Sequence, residues 1–174
     1  MVDHLFSPLT LRDTEIPNRV FVSPMCQYSA AEGVPADYVR QEVLPEFFRL
    51  FWVRRTALDR RNAKQLVETT VELARKVGVA DIAARLVDGL KDESEPFRRM
   101  VMETLEQVVR ELGVAEVSAR LEEQLVDGML YAFQEQSGDD AGNVLLNGMG
   151  TVINALGARV KPYLPHMITG TIKW

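Results

Sequence analysis

The sequence predicts an all-α fold, a short α-solenoid of stacked helix pairs that follows an extended arm or β-hairpin. Two observations indicate this fold. After about residue 39 apolar residues recur three and four positions apart, and part of that pattern repeats along the chain. The first 38 residues differ, because they are rich in turn formers: Pro8, Pro17, Pro24, Gly33 and Pro35. We therefore predict an arm at 1–38 and a helical repeat region at 39–174.

The composition is typical of a soluble globular protein. The chain has 174 residues, 47% of them hydrophobic, and 20 Lys and Arg against 25 Asp and Glu give a net charge of −5. This acidic balance argues against bulk nucleic-acid binding but is compatible with a local basic edge. One cysteine and two histidines exclude an internal disulfide and make a zinc site unexpected. No apolar run approaches a membrane span and no secretory signal is evident, so we expect an intracellular protein without membrane contact.

The elements follow in chain order. In the arm, the β-branched and aromatic run from Arg19 to Ser23 predicts a short strand. Beyond it, Leu66, Leu73 and Val77 share one helical face, and similar spacing recurs to the end of the chain. This spacing predicts three helix pairs and one opening helix: Glu42–Arg60 with Ala63–Val77, Ala80–Asp92 with Phe97–Leu112, Val117–Glu135 with Asn143–Leu156, and Lys161–Trp174.

An internal repeat links these pairs. The segment 77–86 aligns with 112–121 at an offset of 35 residues, and a third copy begins at Leu156. Helix pairs at periods of about 35–45 residues are typical of HEAT or armadillo solenoids. Gly78 and Gly113 follow helices, where a left-handed cap residue is expected. An irregular helical bundle remains the alternative.

Neither end of the predicted array resembles a polar cap. Phe47, Phe48, Phe51 and Trp52 crowd one end, where they could contribute to the core or form a partner-binding face. An uncapped solenoid exposes apolar surface, so we expect the ends to favour self-association, and the chain to be a piece of a longer array.

The arm also resembles a known family. The segments Leu5–Leu11, Asn18–Val20 and Ser23–Ser29 closely resemble the N-terminus of Old Yellow Enzyme family FMN oxidoreductases. The resemblance implies the first strand of a flavin-binding TIM barrel. It also implies site roles: Ser23, Pro24 and Met25 would contact FMN, Cys26 would contact the flavin and tune its redox potential, and Tyr28 would face the substrate.

The rest of the chain departs from that family. A (β/α)₈ barrel needs at least about 200 residues and eight parallel strands. Here Val39 and Arg40 follow Tyr38 where the family has a histidine, and no second strand is evident. We therefore expect no catalytic residues and no bound cofactor, with FMN only if the resemblance were functional.

The repeat region resembles a different family. The segments Gln41–Phe48, Leu90–Pro96, Asp127–Gln136 and Val160–Pro165 closely resemble the HEAT-repeat region of the large subunit of the splicing factor 3b complex. This resemblance implies a nuclear, non-catalytic scaffold of the spliceosome that contacts protein partners and the branch-site RNA of the intron. The two resemblances together suggest a chimera of two unrelated fragments.

Basic residues are the candidates for RNA contact. Arg159 and Lys161 lie at a repeat turn, and the resemblance implies basic residues along the inner surface of the array. The pairs Arg54-Arg55 and Arg60-Arg61 form either a basic patch or a solvated helix face, of which we favour the second. The sequence Gly148-Met149-Gly150 begins like a nucleotide fingerprint, but its helical context favours close helix packing.

Three functional hypotheses follow. The first is a non-enzymatic HEAT scaffold fragment that acts in pre-mRNA splicing. The second is an FMN-dependent NAD(P)H oxidoreductase, for which the barrel is incomplete. The third is a fusion of fragments without an evolved function.

Overall fold

The computed structural model describes residues 9–11, 14–16, 30–31, 34–135 and 139–171, with side chains at 36–135 and 143–169. The predicted strand from Arg19 to Ser23 lies outside these residues. The flavin-site residues that the resemblance implied also lie outside them: Ser23, Pro24, Met25, Cys26 and Tyr28.

Within the described part of the chain, four short strands precede the helices. The strands are β1 (Leu9–Leu11), β2 (Thr14–Ile16), β3 (Ala30–Ala31) and β4 (Val34–Pro35). β1 pairs with β2 and β3 with β4, both antiparallel. The pairing of chain neighbours makes each a hairpin.

The described residues from Ala36 onward form nine α-helices. They are α1 (Ala36–Tyr38), α2 (Leu44–Phe51), α3 (Arg54–Leu58), α4 (Arg60–Val77), α5 (Val79–Leu86), α6 (Glu95–Leu112), α7 (Ala119–Gln134), α8 (Asp139–Leu156) and α9 (Leu164–Thr171). A π-helical turn at Val39–Val43 leads into α2. Two 3₁₀ segments, Val87–Lys91 and Gly157–Tyr163, extend α5 and precede α9.

These helices stack in two layers. In one layer α4 packs on α6 and α6 on α8, so the three 18-residue second helices of successive pairs lie side by side. In the other layer α7 packs against α5, the 3₁₀ segment Val87–Lys91 and α9. Each pair thus covers the apolar stripe of the next, which confirms a short all-α solenoid of the HEAT type.

The predicted helix Glu42–Arg60 is wrong as a single element. The chain leaves helical geometry at Trp52 (ψ 64°), is extended at Val53 and is extended again at Asp59. Trp52 is buried against the ring of Phe97, so its packing competes with helix continuation. Asp59 caps the next helix, which therefore starts at Arg60 rather than at Ala63.

Glycines at the repeat boundaries adopt positive φ, as the repeat predicted. Gly78 has φ 96° and ψ 158°, and Gly113 has φ 72° and ψ −165°. These ψ values are extended, so neither glycine has the left-handed helical conformation expected of a cap. This region of φ and ψ is essentially confined to glycine, which explains why the residue type repeats.

The core is continuous between the two layers. Its largest fully buried side chains run the length of the array: Leu44, Ile82, Leu90, Met102, Leu105, Leu125, Met129 and Val152. Gly148 lies on α8 where a Cβ would come within 2.6 Å of the Met102 side chain. This close approach of α6 and α8 confirms helix packing at Gly148. No helix among the described residues combines the length and hydropathy needed to cross a membrane.

Candidate interaction surfaces

Several basic side chains of the described region join neighbouring helix pairs. Several join a carboxylate that lies one repeat further along the sequence, and we call these contacts the inter-repeat ion pairs. The N–O distances are 2.9 Å for Arg54–Asp92, 2.5 Å for Arg75–Glu111 and 2.5 Å for Lys91–Asp127. Their separations of 36 to 38 residues match the repeat period. These cations therefore stabilise stacking rather than face a ligand.

Two of the arginines that join neighbouring helix pairs have a raised pKa because of their carboxylate partners. The hydrogen bond to Glu111, with the nearby charges of Glu111 and Glu72, raises the pKa of Arg75. The pKa of Arg40 is raised chiefly by its hydrogen bond to Asp81, at 2.8 Å. Both guanidinium groups stay cationic throughout the pH range in which the protein is folded.

Arg159, a predicted RNA contact, is engaged by the protein itself. Its guanidinium donates to the carbonyl oxygens of Val114 (3.1 Å) and Val117 (2.7 Å) in the loop between α6 and α7. It also pairs with the carboxylate of Glu122, whose side chain is buried. Arg159 therefore ties the 3₁₀ segment Gly157–Tyr163 to the preceding helix pair, and a role in RNA contact stays a prediction.

Lys161, the second predicted RNA contact, has a different environment. It is exposed on the same 3₁₀ segment, and among the described residues it has no hydrogen-bond or ion-pair partner. Its ammonium group is thus available to an anion. The structure does not test RNA binding, so this role also stays a prediction.

Two charged residues, Arg98 and Glu122, are buried although the sequence did not single them out. Arg98 is 5% exposed and donates to the carbonyl oxygens of Asp92 (2.7 Å) and Glu135 (2.7 Å), which links two helix pairs. Glu122 is the buried partner of Arg159. The sequence did contain evidence of this burial, because each residue lies three positions before an apolar residue on the buried face of its helix. A charge in that position requires a specific partner.

The aromatic cluster at the first helix pair divides between core and surface. Trp52 is buried, stacks on Phe48 with ring centroids 5.6 Å apart, and meets Phe97 edge-on. Phe51 is half-exposed and, with Phe47, lines an open groove of about 820 Å³. The cluster is therefore partly core and partly an outward apolar face.

A second groove lies between the second helices α4 and α6. It measures about 600 Å³, and Val144 of α8 also lines it. Apolar side chains form much of its wall: Ala57, Leu58, Ala63, Val67, Pro96, Met100 and Val144. Five charged residues line it as well: Arg60, Lys64, Glu68, Arg99 and Glu103. We call this the α4–α6 groove.

Metal ligands do not cluster in the described part of the chain. No three His, Cys, Asp or Glu side chains there lie close enough together to hold a metal ion. The described surface offers open grooves and exposed cations.

The stacked helix pairs define the class of HEAT-type α-solenoids. No protein-family model matches the chain. It is 48% identical over 165 residues to the U2 snRNP component prp10 of Schizosaccharomyces pombe, a match that takes in 92% of this chain. It is also 42% identical over 141 residues, or 81% of the chain, to the U2 snRNP component HSH155 of Saccharomyces cerevisiae. The chain spans 14% of the length of each relative.

Homology to these two U2 snRNP components therefore runs over most of the chain, which supports the resemblance found for the repeat region. An alignment over 92% of the chain covers more residues than the segment 39–174 contains, so it also includes part of the segment 1–38. The division at residue 38 stays a prediction.

A third match is much shorter. The chain is 47% identical over 34 residues to the NADH:flavin oxidoreductase FG08077 of Gibberella zeae, which is 20% of this chain and 8% of that enzyme. The match hints at a chimera. It does not extend to the bulk of a flavin enzyme.

Proposed function

We propose that this chain is a non-enzymatic scaffold segment that acts in pre-mRNA splicing, within a U2 snRNP-type complex in the nucleus. The observation that carries the proposal is its 48% and 42% identity, over most of its length, to two U2 snRNP components. Its partners are then proteins of the splicing complex, with RNA as a further partner.

The fold is suited to this role. A solenoid presents one long face of second helices, and the shared core holds that face in a fixed shape. In this chain α4, α6 and α8 form such a face. The shared core holds each helix pair against the next, and the buried Arg98 links the second and third pairs, so binding partners would meet a preorganised surface.

The proposal can be tested by segment exchange. In S. pombe, the segment of prp10 that matches this chain would be replaced by the matching residues of the chain, and growth and intron retention would be measured. We expect normal growth and splicing. A matched exchange that carries Leu105→Asp, a fully buried position, should fail because it disrupts the core. A chimera that accumulates normally but leaves introns unspliced would contradict the proposal.

We further propose that residues 1–38 are an appendage that the helical array does not require. The prediction is that deletion of 1–38 leaves the helical circular dichroism signal nearly unchanged, because Val39 and Leu44 are the first buried residues among the side chains that the structure describes. Deletion of 1–52 is the contrasting variant. It removes Trp52 and its contact with Phe97, so we expect a clear loss of thermal stability. A large loss of helix with the shorter deletion would show that the arm packs on the solenoid.

A further inference from the structure

The α4–α6 groove is bordered by regularly spaced side chains. On α4, Arg60, Lys64 and Glu68 follow one another at intervals of four residues and all line the groove. On α6, Arg99 and Glu103 do the same. Four residues correspond to about 6 Å along a helix, so each helix presents a cation first and a carboxylate one or two turns later. The groove thus has a basic end and an acidic end.

The arginines at the basic end are available. Arg60 and Arg99 are exposed, and neither has a hydrogen-bond or ion-pair partner among the described residues. The third cation of the groove, Lys64, instead pairs with Glu68. The cations of the inter-repeat ion pairs also have carboxylate partners. Two unpaired guanidinium groups in a chain of net charge −5 attract an anionic partner.

The position of Arg60 also disfavours a purely structural role. It is the first residue of α4, whose first turn contains no acidic residue and also carries Arg61. The N-terminal end of a helix dipole is positive, so cations there cost folding free energy. The N-cap Asp59 offsets this field in part. An anion bound at Arg60 would remove the remaining repulsion.

The lining of the groove favours protein over RNA. About half of its wall is apolar, and in that part Leu58 is exposed and Ala63 and Val144 are partly exposed. Among the described residues, no aromatic side chain lines it on which a base could stack. The carboxylates of Glu68 and Glu103 would repel a phosphate backbone that continued along the groove. A peptide with apolar residues in the centre and carboxylates at one end satisfies all of these features.

We infer that the α4–α6 groove is a docking site for an acidic, amphipathic helical segment of a protein partner. The apolar side chains of the segment lie on Leu58, Ala63 and Val144, which line the groove and keep exposed surface, and its carboxylates meet Arg60 and Arg99. This inference deepens the proposed scaffold function and rests on it for the identity of the complex. The binding chemistry itself can be measured on the chain alone.

The test uses the full chain and labelled probes in fluorescence anisotropy. The main probe is an amphipathic peptide of about 16 residues, with Leu at helical spacing and Glu at one end. A second peptide carries Gln in place of Glu, and a third probe is a uridine RNA of similar length. The variant is Arg99→Glu. Its matched control is Arg120→Glu, which makes the same charge change at an exposed arginine that has no partner among the described residues and does not line the groove.

We expect the Glu peptide to bind and the Gln peptide to bind more weakly. We expect Arg99→Glu to lower the affinity for the Glu peptide on the order of tenfold more than Arg120→Glu does. Absence of peptide binding, or equal effects of the two variants, would overturn the inference. RNA binding that is lost in Arg99→Glu, without peptide binding, would assign the groove to nucleic acid instead. The exchange into prp10 reports separately on the splicing proposal, which stands if that exchange succeeds and the peptide test fails.

Discussion

Among individual residues, a few charged side chains join one helix pair to the next. Arg98 is buried and donates to carbonyl oxygens on two helix pairs. Arg159 is partly exposed, donates to two carbonyl oxygens of the loop between α6 and α7, and neutralises the buried Glu122. A buried carboxylate without its cation is costly, because the low-dielectric interior does not replace the lost solvation. Arg159 and Lys161 are two residues apart in sequence, yet one is structural and the other faces solvent.

We therefore predict that Arg159→Gln and Lys161→Gln behave differently. Arg159→Gln should lower the free energy of unfolding by about 2 kcal/mol, because Glu122 loses its partner and two carbonyl oxygens lose a charged donor. Lys161→Gln should leave stability within about 0.5 kcal/mol. Urea denaturation of both variants measures this. Equal stability of the two variants would show that Arg159 is free for RNA after all.

The boundary glycines provide a second prediction. Gly113 has φ 72°, and no described atom lies within 4 Å of the position that an alanine methyl group would take. Gly113→Ala should therefore cost about 1–3 kcal/mol through backbone strain alone. Gly150 is the matched control, since it lies within α8 and also has open space, and Gly150→Ala should stabilise by about 0.5–1 kcal/mol. Thermal denaturation compares them, and stabilisation by both would contradict the strain at Gly113.

Between helices, the inter-repeat ion pairs and the small residues set the spacing of the elements. The pair Arg75–Glu111 joins the end of α4 to the end of α6. Gly148 allows α8 to approach Met102 of α6 closely. The first contact is electrostatic and half-exposed, whereas the second is steric and buried, so they contribute to stacking by different physical means.

The ion pair should contribute little. In a double-mutant cycle of Arg75→Ala and Glu111→Ala, we expect a coupling free energy of about 0.5 kcal/mol, because both side chains are more than a third exposed. The coupling should fall further in 1 M salt, where the Debye length is about 3 Å. Arg120→Ala with Glu111→Ala is the control cycle without a contact. A coupling well above 1 kcal/mol that persists in high salt would show that the pair is effectively buried.

Taken as a whole molecule, the described residues contain the parts of a solenoid and not those of a barrel. Strand pairing among them is antiparallel and limited to hairpins of two or three residues per strand. A flavin-binding barrel instead encloses its cofactor at the ends of eight parallel strands. The described helical region therefore provides no barrel-type flavin site to accompany the 34-residue match to a flavin enzyme.

We expect that the purified chain does not bind FMN. Titration should leave FMN fluorescence unquenched, and the protein should show no flavin absorbance, because a flavin site of the matched kind needs a closed barrel. A flavin oxidoreductase of the matched kind is the positive control. Saturable binding of one FMN per chain would contradict this expectation and would restore the oxidoreductase hypothesis.

The all-α class, the helix pairs and their repeat could be predicted without coordinates, because apolar spacing and glycine placement are local properties of the chain. The relationship to splicing proteins was implied instead by the resemblance of segments such as Gln41–Phe48 and Asp127–Gln136 to that family. The break in the first predicted helix could not be predicted, since the burial of Trp52 depends on Phe97 of the next pair. Nor could it be predicted that Arg159 is held by Glu122 while Arg60 and Arg99 have no partner among the described residues. The contacts that decide these outcomes join residues about one repeat apart, and local patterns do not specify which long side chains meet across that distance.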